Sequence, residues 1–205
     1  DSELLLSKIL NKNREEILIN LDQEICQKYF SEYKELISRR SQNEPVAYIL
    51  EEKEFWSKFF FVNRDTLIPR PETELMVEKL VKIFKDKNIS ILDIGTGSGC
   101  ILISLISELK NSKGVGIDIS NKALIIAKKN SGKHALQNKI KFLNKSLDSK
   151  FYQKFDLIVS NPPYIRSSKI KNLKEDIRRY EPLIALDGGN DGLDLIKKVI
   201  YKTKY

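Results

Sequence analysis

Apolar positions in the first 40 or so residues recur at helical spacing. Leu4, Leu5, Ile9 and Leu10 mark one face, Leu18 and Leu21 a short second segment, and Cys26, Tyr29, Phe30, Tyr33, Leu36 and Ile37 a third. Asp22 suits the N-cap of that third helix, with Glu24 in its first turn. Glu44-Pro45 breaks the pattern. Val46-Ala47-Tyr48-Ile49-Leu50 and the runs from Phe55-Trp56 to Phe59-Phe60-Phe61-Val62 are strand-like, so 44–69 is expected to hold a β-hairpin, with Trp56 as packing. In Leu67-Ile68-Pro69-Arg70-Pro71-Glu72-Thr73-Glu74, Pro71 fits the first turn of a helix that continues through Met76, Leu80, Val81 and Phe84. The Pro-Arg-Pro turn is equally placed to wall a pocket.

From residue 89 the period changes. Strand-like runs at 89–94, 114–119, 140–143 and 155–160 alternate with helical ones that start at Cys100 and after Ser120. Such βαβ order predicts an α/β fold with right-handed crossovers and about four parallel strands covered by helices.

Composition narrows the class. The chain has 205 residues, 41% hydrophobic and 31% charged, which suits a globular domain with a small appendage. No apolar run approaches the roughly 18 residues of a membrane span, and no signal-peptide pattern opens the chain. Cys26 and Cys100 lack CxxC spacing and read as reduced thiols of a cytoplasmic protein. His134 is the single histidine, which argues against a histidine metal site or a Ser-His-Asp machine. Among Lys133, Asn138 and Lys139 it reads as a solvated loop residue. The net charge is +8, but the lysines are scattered, so no stable nucleic-acid partner is expected.

Two motifs carry chemistry. Gly95-Thr96-Gly97-Ser98-Gly99 follows a strand and opens a helix, and Asp118 ends the next strand, where a carboxylate can accept both ribose hydroxyls. A dinucleotide fingerprint would put its last glycine at Cys100. The tighter spacing, with Asp93 two residues before the loop, suits S-adenosyl-L-methionine, whose positive amino or sulfonium group Asp93 can face. The second motif, Asn161-Pro162-Pro163-Tyr164, ends the fourth strand, because two prolines cannot extend it. The Asn161 side-chain oxygen and the Pro162 carbonyl could accept both hydrogens of a planar nitrogen and orient it toward a methyl group. Tyr164 could stack on the planar group. No strong base is required, since the methylated nitrogen is acidic.

These motifs, with Leu67 to Glu74, Tyr180-Glu181-Pro182 and the Ala185-Leu186-Asp187-Gly188-Gly189-Asn190-Asp191-Gly192-Leu193 run, resemble the bacterial release factor glutamine methyltransferases (the HemK/PrmC family). The resemblance implies a Rossmann-like class I methyltransferase sheet at 70–205, a helical substrate-binding cap at 1–43 and a hairpin linker at 44–69. It implies methyl transfer from S-adenosyl-L-methionine, leaving S-adenosyl-L-homocysteine, to the glutamine N5 in the Gly-Gly-Gln motif of class 1 peptide-chain release factors. Asp93, Gly95, Thr96, Gly97, Ser98, Gly99, Asp118, Ile119, Ser146 and Asn161 are expected at the cofactor. Asn161 and Pro162 are expected to be catalytic, and Asn161, Pro162, Pro163 and Tyr164 to hold the glutamine. No metal is expected. An RNA or DNA amino-methyltransferase, or a non-catalytic fragment, is the alternative.

Three departures stand out. Glu51 replaces the glycine usual in the family's hairpin, so strain is expected there. The turn Asn144 to Asp148 lacks the family's acidic-aromatic pair, leaving Ser146 or Asp148 near the adenine. Family members are longer, and the last helix, with Leu193, Ile196, Val199 and Ile200 as its face, is cut at Tyr205. The sequence therefore reads as an incomplete chain, its fourth strand an open apolar edge.

Overall fold

The computed structural model describes residues 1–20, 22–149 and 153–203. Four parallel strands form the central sheet: β3 (Ser90–Ile94), β4 (Lys113–Asp118), β5 (Ile140–Asn144) and β6 (Leu157–Ser160). Their order is β5-β4-β3-β6, so the strand order reverses at the boundary between β3 and β6. Helices α6 (Cys100–Glu108) and α7 (Asn121–Lys133) make the crossovers from β3 to β4 and from β4 to β5, and α5 (Glu74–Phe84) leads into β3. The core lies between sheet and helices: Ile91, Leu102, Ile103, Leu105 and Ile106 are buried, and α6 shows apolar residues all round because it is enclosed on every side. Ser120 caps α7 by accepting from the Ala123 N–H at 3.2 Å, as its position implies.

The amino-terminal third departs more from its pattern. It holds α1 (Ser2–Leu10), α2 (Arg14–Ile19) and α3 (Gln27–Ser41). Among the described residues of these helices only Leu5 and Ile17 are buried, whereas Leu4 and Leu18 are exposed, so the inward faces are narrower than expected. Leu21 lies outside the described residues. Helix α3 starts after Cys26, not Asp22, and Asn13 instead makes a capping box with Glu16 on α2.

Residues 46–50 are a helix, α4 (Val46–Leu50), not a strand. Pro45 sets its first turn, and burial of Tyr48 and Ile49 outweighs their strand preference. The hairpin is shorter, β1 (Glu52–Phe55) with β2 (Lys58–Phe61), turning at Trp56 and Ser57, both with positive φ. Trp56 packs on the core and donates its indole N–H to Glu108. His134 is not solvated either: its ring tilts onto Phe60 at 4.9 Å, Nε2 lies 3.1 Å from the Phe59 carbonyl, and burial lowers its pKa. Cys26 is exposed, Cys100 buried, and both are free.

On the fourth-strand side, α9 (Asp194–Thr203) lays Leu195 and Val199 against Ile158, Phe155 and Leu92. Leu193 and Ile200, expected on that face, are exposed. The preceding segment 185–193 also returns to the sheet edge: Ile165 donates to the Leu186 carbonyl at 3.1 Å and accepts from the Gly188 N–H at 2.8 Å.

Candidate active site

The glycine loop and the fourth strand end meet at the carboxyl edge of the sheet, at the reversal between β3 and β6, where open α/β sheets bind ligands. A cavity of about 280 Å³ opens there. Gly95, Gly97, Asp118, Ile119, Ser146, Asn161, Pro162 and Pro163 all line it. Gly97 has φ +55, and a Cβ built on it would meet nothing within 4 Å, so the loop backbone faces the cavity directly. Asp118 Oδ2 accepts the Gly97 N–H and Oδ1 the Ser120 N–H, each at 2.9 Å. Each carboxylate oxygen keeps a further lone pair for a hydroxyl.

Other expected cofactor residues sit behind this wall. Asp93 is fully buried, with Oδ2 accepting from Thr96 Oγ1 at 2.6 Å and Oδ1 without a partner. Burial pushes its pKa up to about 7, the Thr96 bond opposes that, and the Asp118 charge adds to it. The buried Ser98 offers its carbonyl to Asn130 at 2.8 Å. A Cβ on Gly99 would crowd Ile103, Ala127 and Phe142, so that glycine serves helix packing. None of these four lines the cavity.

A second cavity, of about 140 Å³, shares Leu67, Asn161, Pro162 and Ala185 with the first and adds Arg70, Tyr164 and Ile177. Asn161 and Pro162 therefore form a partition between two hollows. Neither the Asn161 carboxamide nor the Pro162 carbonyl has a hydrogen-bond partner among the described residues. Tyr164 is 61% exposed at the rim. The turn is braced from below: a Cβ on Gly188 would lie 2.8 Å from the Pro163 carbonyl oxygen and from Tyr164 Cα, so only glycine lets the two backbones approach.

The sequence reading had no site role for Leu67, Pro182 or Ala185, and gave Arg70 only as part of a turn placed equally to start a helix or to wall a pocket. Leu67, Pro182 and Ala185 line the larger cavity, and Arg70 joins Leu67 and Ala185 in the smaller. The available signal was a pair of X-Pro turns with opposite charges, Arg70 before Pro71 and Glu181 before Pro182. In the fold these join, with Arg70 Nη2 donating to Glu181 Oε1 at 2.6 Å.

The cradle fits S-adenosyl-L-methionine: open glycine backbone, a carboxylate with spare lone pairs, and an apolar slot of Ile119, Ala123 and Leu147. Fold and site together define a class I S-adenosylmethionine-dependent methyltransferase. The family model "Methyltransferase small domain" matches residues 71–178 and the "PrmC N-terminal domain" model matches residues 1–50. The chain belongs to the release factor glutamine methyltransferase family. It is 42% identical to the "Release factor glutamine methyltransferase" of Buchnera aphidicola subsp. Acyrthosiphon pisum, over all of this chain and 73% of the relative. The protein of that name from Clostridium acetobutylicum is 38% identical over the same shares. Among solved structures, the hMettl16 catalytic domain in complex with MAT2A 3'UTR hairpin 6 superimposes with TM-score 0.56 over 71% of this chain and 56% of that one. At 19% identity that likeness speaks to fold alone.

Proposed function

We propose that this chain methylates the side-chain N5 of the glutamine in the Gly-Gly-Gln motif of class 1 peptide-chain release factors, with S-adenosyl-L-methionine as donor. The observation that carries this reading is the partition: Asn161 and Pro162 offer two uncommitted carbonyl oxygens between a cofactor-sized cavity and a narrower one. A carboxamide nitrogen entering from the narrow side has two hydrogens to place. The Asn161 side-chain oxygen and the Pro162 main-chain oxygen accept one each, which fixes the plane of the amide and points its nitrogen toward the larger cavity. These acceptors also favour positive charge as it develops on that nitrogen. Tyr164 covers the planar group, and Pro163 keeps the turn stiff. When bound, the cofactor supplies an electrophilic methyl group on a sulfonium. Asp118 is assigned to its ribose, Ile119 and Ser146 to the adenine end, Gly95 and Gly97 to the methionine end. Asp93, Thr96, Ser98 and Gly99 are assigned to holding the loop from behind.

Residues 1–43 serve in this reading as the substrate-binding cap, 44–69 as the linker and 70–205 as the transferase domain. A release-factor substrate also implies work in the cytoplasm, where translation ends. Incubation with radiolabelled S-adenosyl-L-methionine and either a class 1 release factor or bulk RNA tests the proposal. Label is expected in the release factor, and lost when its Gly-Gly-Gln glutamine is replaced. Label in RNA would establish the nucleic-acid amino-methyltransferase reading, and cofactor binding with no label in either would establish a non-catalytic fragment.

A further inference from the structure

Arg70 faces the smaller cavity with unused donors. Its side chain is 30% exposed, and Glu181, whose side chain is 1% exposed, grips it from behind. Glu181 Oε1 accepts from Arg70 Nη2 at 2.6 Å, and Oε2 accepts the Ile68 N–H at 3.1 Å. One buried carboxylate thus fixes both the backbone and the side chain of the Leu67 to Arg70 wall. The other guanidinium N–H groups have no acceptor among the described residues. The surrounding wall is otherwise largely apolar, with Leu67, Ile165, Ile177 and Leu186.

Glu181 offsets the guanidinium charge, so the cavity receives directional donors with little net charge. Arg70 already has its carboxylate in Glu181, so a second anion would meet an offset charge, while a neutral carbonyl needs only the directional donors that remain. The carboxamide oxygen of the acceptor is the wrong target, because a donor there draws the nitrogen lone pair into the C=O bond and weakens the nucleophile. A polypeptide crossing the mouth, however, brings main-chain carbonyls that lose water and need a donor. We infer that Arg70 donates to a main-chain carbonyl of the segment that carries the glutamine. In this role it selects peptide-borne glutamine over free amides, with Glu181 as its positioning residue. The inference rests on the glutamine reading above.

The test measures KM and kcat for an unmethylated class 1 release factor with Arg70→Lys, Arg70→Gln and Glu181→Gln in the full chain. Direct binding of the release factor, and of S-adenosyl-L-homocysteine, is followed by calorimetry. Arg70→Lys keeps the charge and loses the fork. Both Arg70 variants are expected to raise KM about 10- to 100-fold, with kcat within about 3-fold, and to weaken release-factor binding to match. Affinity for S-adenosyl-L-homocysteine should not move. Glu181→Gln should shift KM in the same direction by less, and if it does not fold, the Arg70 pair decides alone. An unchanged KM in both Arg70 variants overturns the inference, as does a matching loss of S-adenosyl-L-homocysteine affinity. A wild-type chain that binds S-adenosyl-L-homocysteine but neither binds nor methylates the release factor defeats the glutamine reading instead.

Discussion

Two buried carboxylates separate the molecule into regions of different character. Glu44, where the helical cap meets the sheet domain, accepts two bonds from Arg39 at 2.9 Å and lies 3.3 Å from Arg64. Asp93, under the glycine loop, has one bond and one oxygen with none. The Arg39 guanidinium holds Glu44 below its usual pKa, whereas burial raises that of Asp93. Neighbouring groups follow the same division. At the junction, Tyr180 donates to the Gln42 carbonyl at 2.8 Å and Asn43 to Glu175 at 3.0 Å. At the sheet edge, Asn161 and Pro162 stay uncommitted. An unfinished polar group costs about 1–3 kcal/mol when buried, so the uncommitted oxygens of Asn161 and Pro162 at the cavity are expected where a ligand completes the bonds, whereas Asp93 Oδ1, like the hydroxyls of Ser7, Ser104 and Ser131, is buried away from both hollows. The junction is built to hold, and the edge is built to bind.

Removing an open group from the edge should give the largest effect. Asn161→Ala is expected to lower kcat for release-factor methylation by about 10²- to 10³-fold, leaving S-adenosyl-L-homocysteine affinity within a few-fold by calorimetry. Comparable loss of both would make Asn161 a cofactor residue and blur the partition. Removing a closed group from the junction should act on stability. Glu44→Ala leaves Arg39 and Arg64, which are 39% and 62% exposed and regain water, so the cost is about 1–3 kcal/mol. Denaturant unfolding would measure it, and a loss below about 0.5 kcal/mol would mean the junction does not depend on this pair.

The pH dependence of the two carboxylates should have opposite signs. Glu44 is lowered from 4.5, so its contribution is complete above pH 4.5 and fades as pH falls through the folded value. Asp93 is raised from 3.8 to about 7, so the folded chain holds a proton that the unfolded chain has lost. Its contribution therefore declines as pH rises from 3.8 to about 7, then levels off. Asp93→Asn should gain on the wild type across that window in thermal unfolding without cofactor. Parallel curves would show that Asp93 is ionised throughout.

The same division governs what the sequence could tell. Strands β3 and β6 carry near-continuous apolar runs, β3 buried along almost its whole length, so they stand out, and the glycine loop and double proline mark where they end. Gly95 and Gly97 of the one motif and Asn161, Pro162 and Pro163 of the other therefore line one cavity, while Thr96, Ser98, Gly99 and Tyr164 lie outside its lining. The cap helices are mostly exposed, α3 with no buried residue at all, so a few side chains decide which face turns inward, and the pattern assigned Leu4 and Leu18 wrongly. Val46 to Leu50 is the sharpest case: five residues of strand-like composition form a helix because Pro45 starts it and tertiary burial rewards it. Arg70 was legible only as part of a turn that could wall a pocket, and its pairing escaped for another reason. Its role depends on Glu181, more than a hundred residues away, and no local pattern connects them.

Glu51 offers the gentlest test, because there the sequence located strain and misplaced its cause. The residue is not in the hairpin turn but is the C-cap of α4, at φ 56 and ψ 22, with its N–H reaching the Ala47 and Tyr48 carbonyls. A left-handed C-cap is the position where glycine avoids the Cβ clash, which costs other residues about 1 kcal/mol. Glu51 is exposed and forms no ion pair among the described residues, so its side chain returns only a weak through-space attraction to Arg39. Glu51→Gly should therefore stabilise the chain by up to about 1 kcal/mol, a rise of roughly 2–4 °C in Tm, with kcat and KM for the release factor unchanged. If Tm fell instead, the left-handed conformation would be no burden, and the lost backbone entropy of glycine would outweigh any relief. If stability rose while KM moved too, the cap would be coupled to the sheet edge, and the division between holding and binding would fail at its hinge.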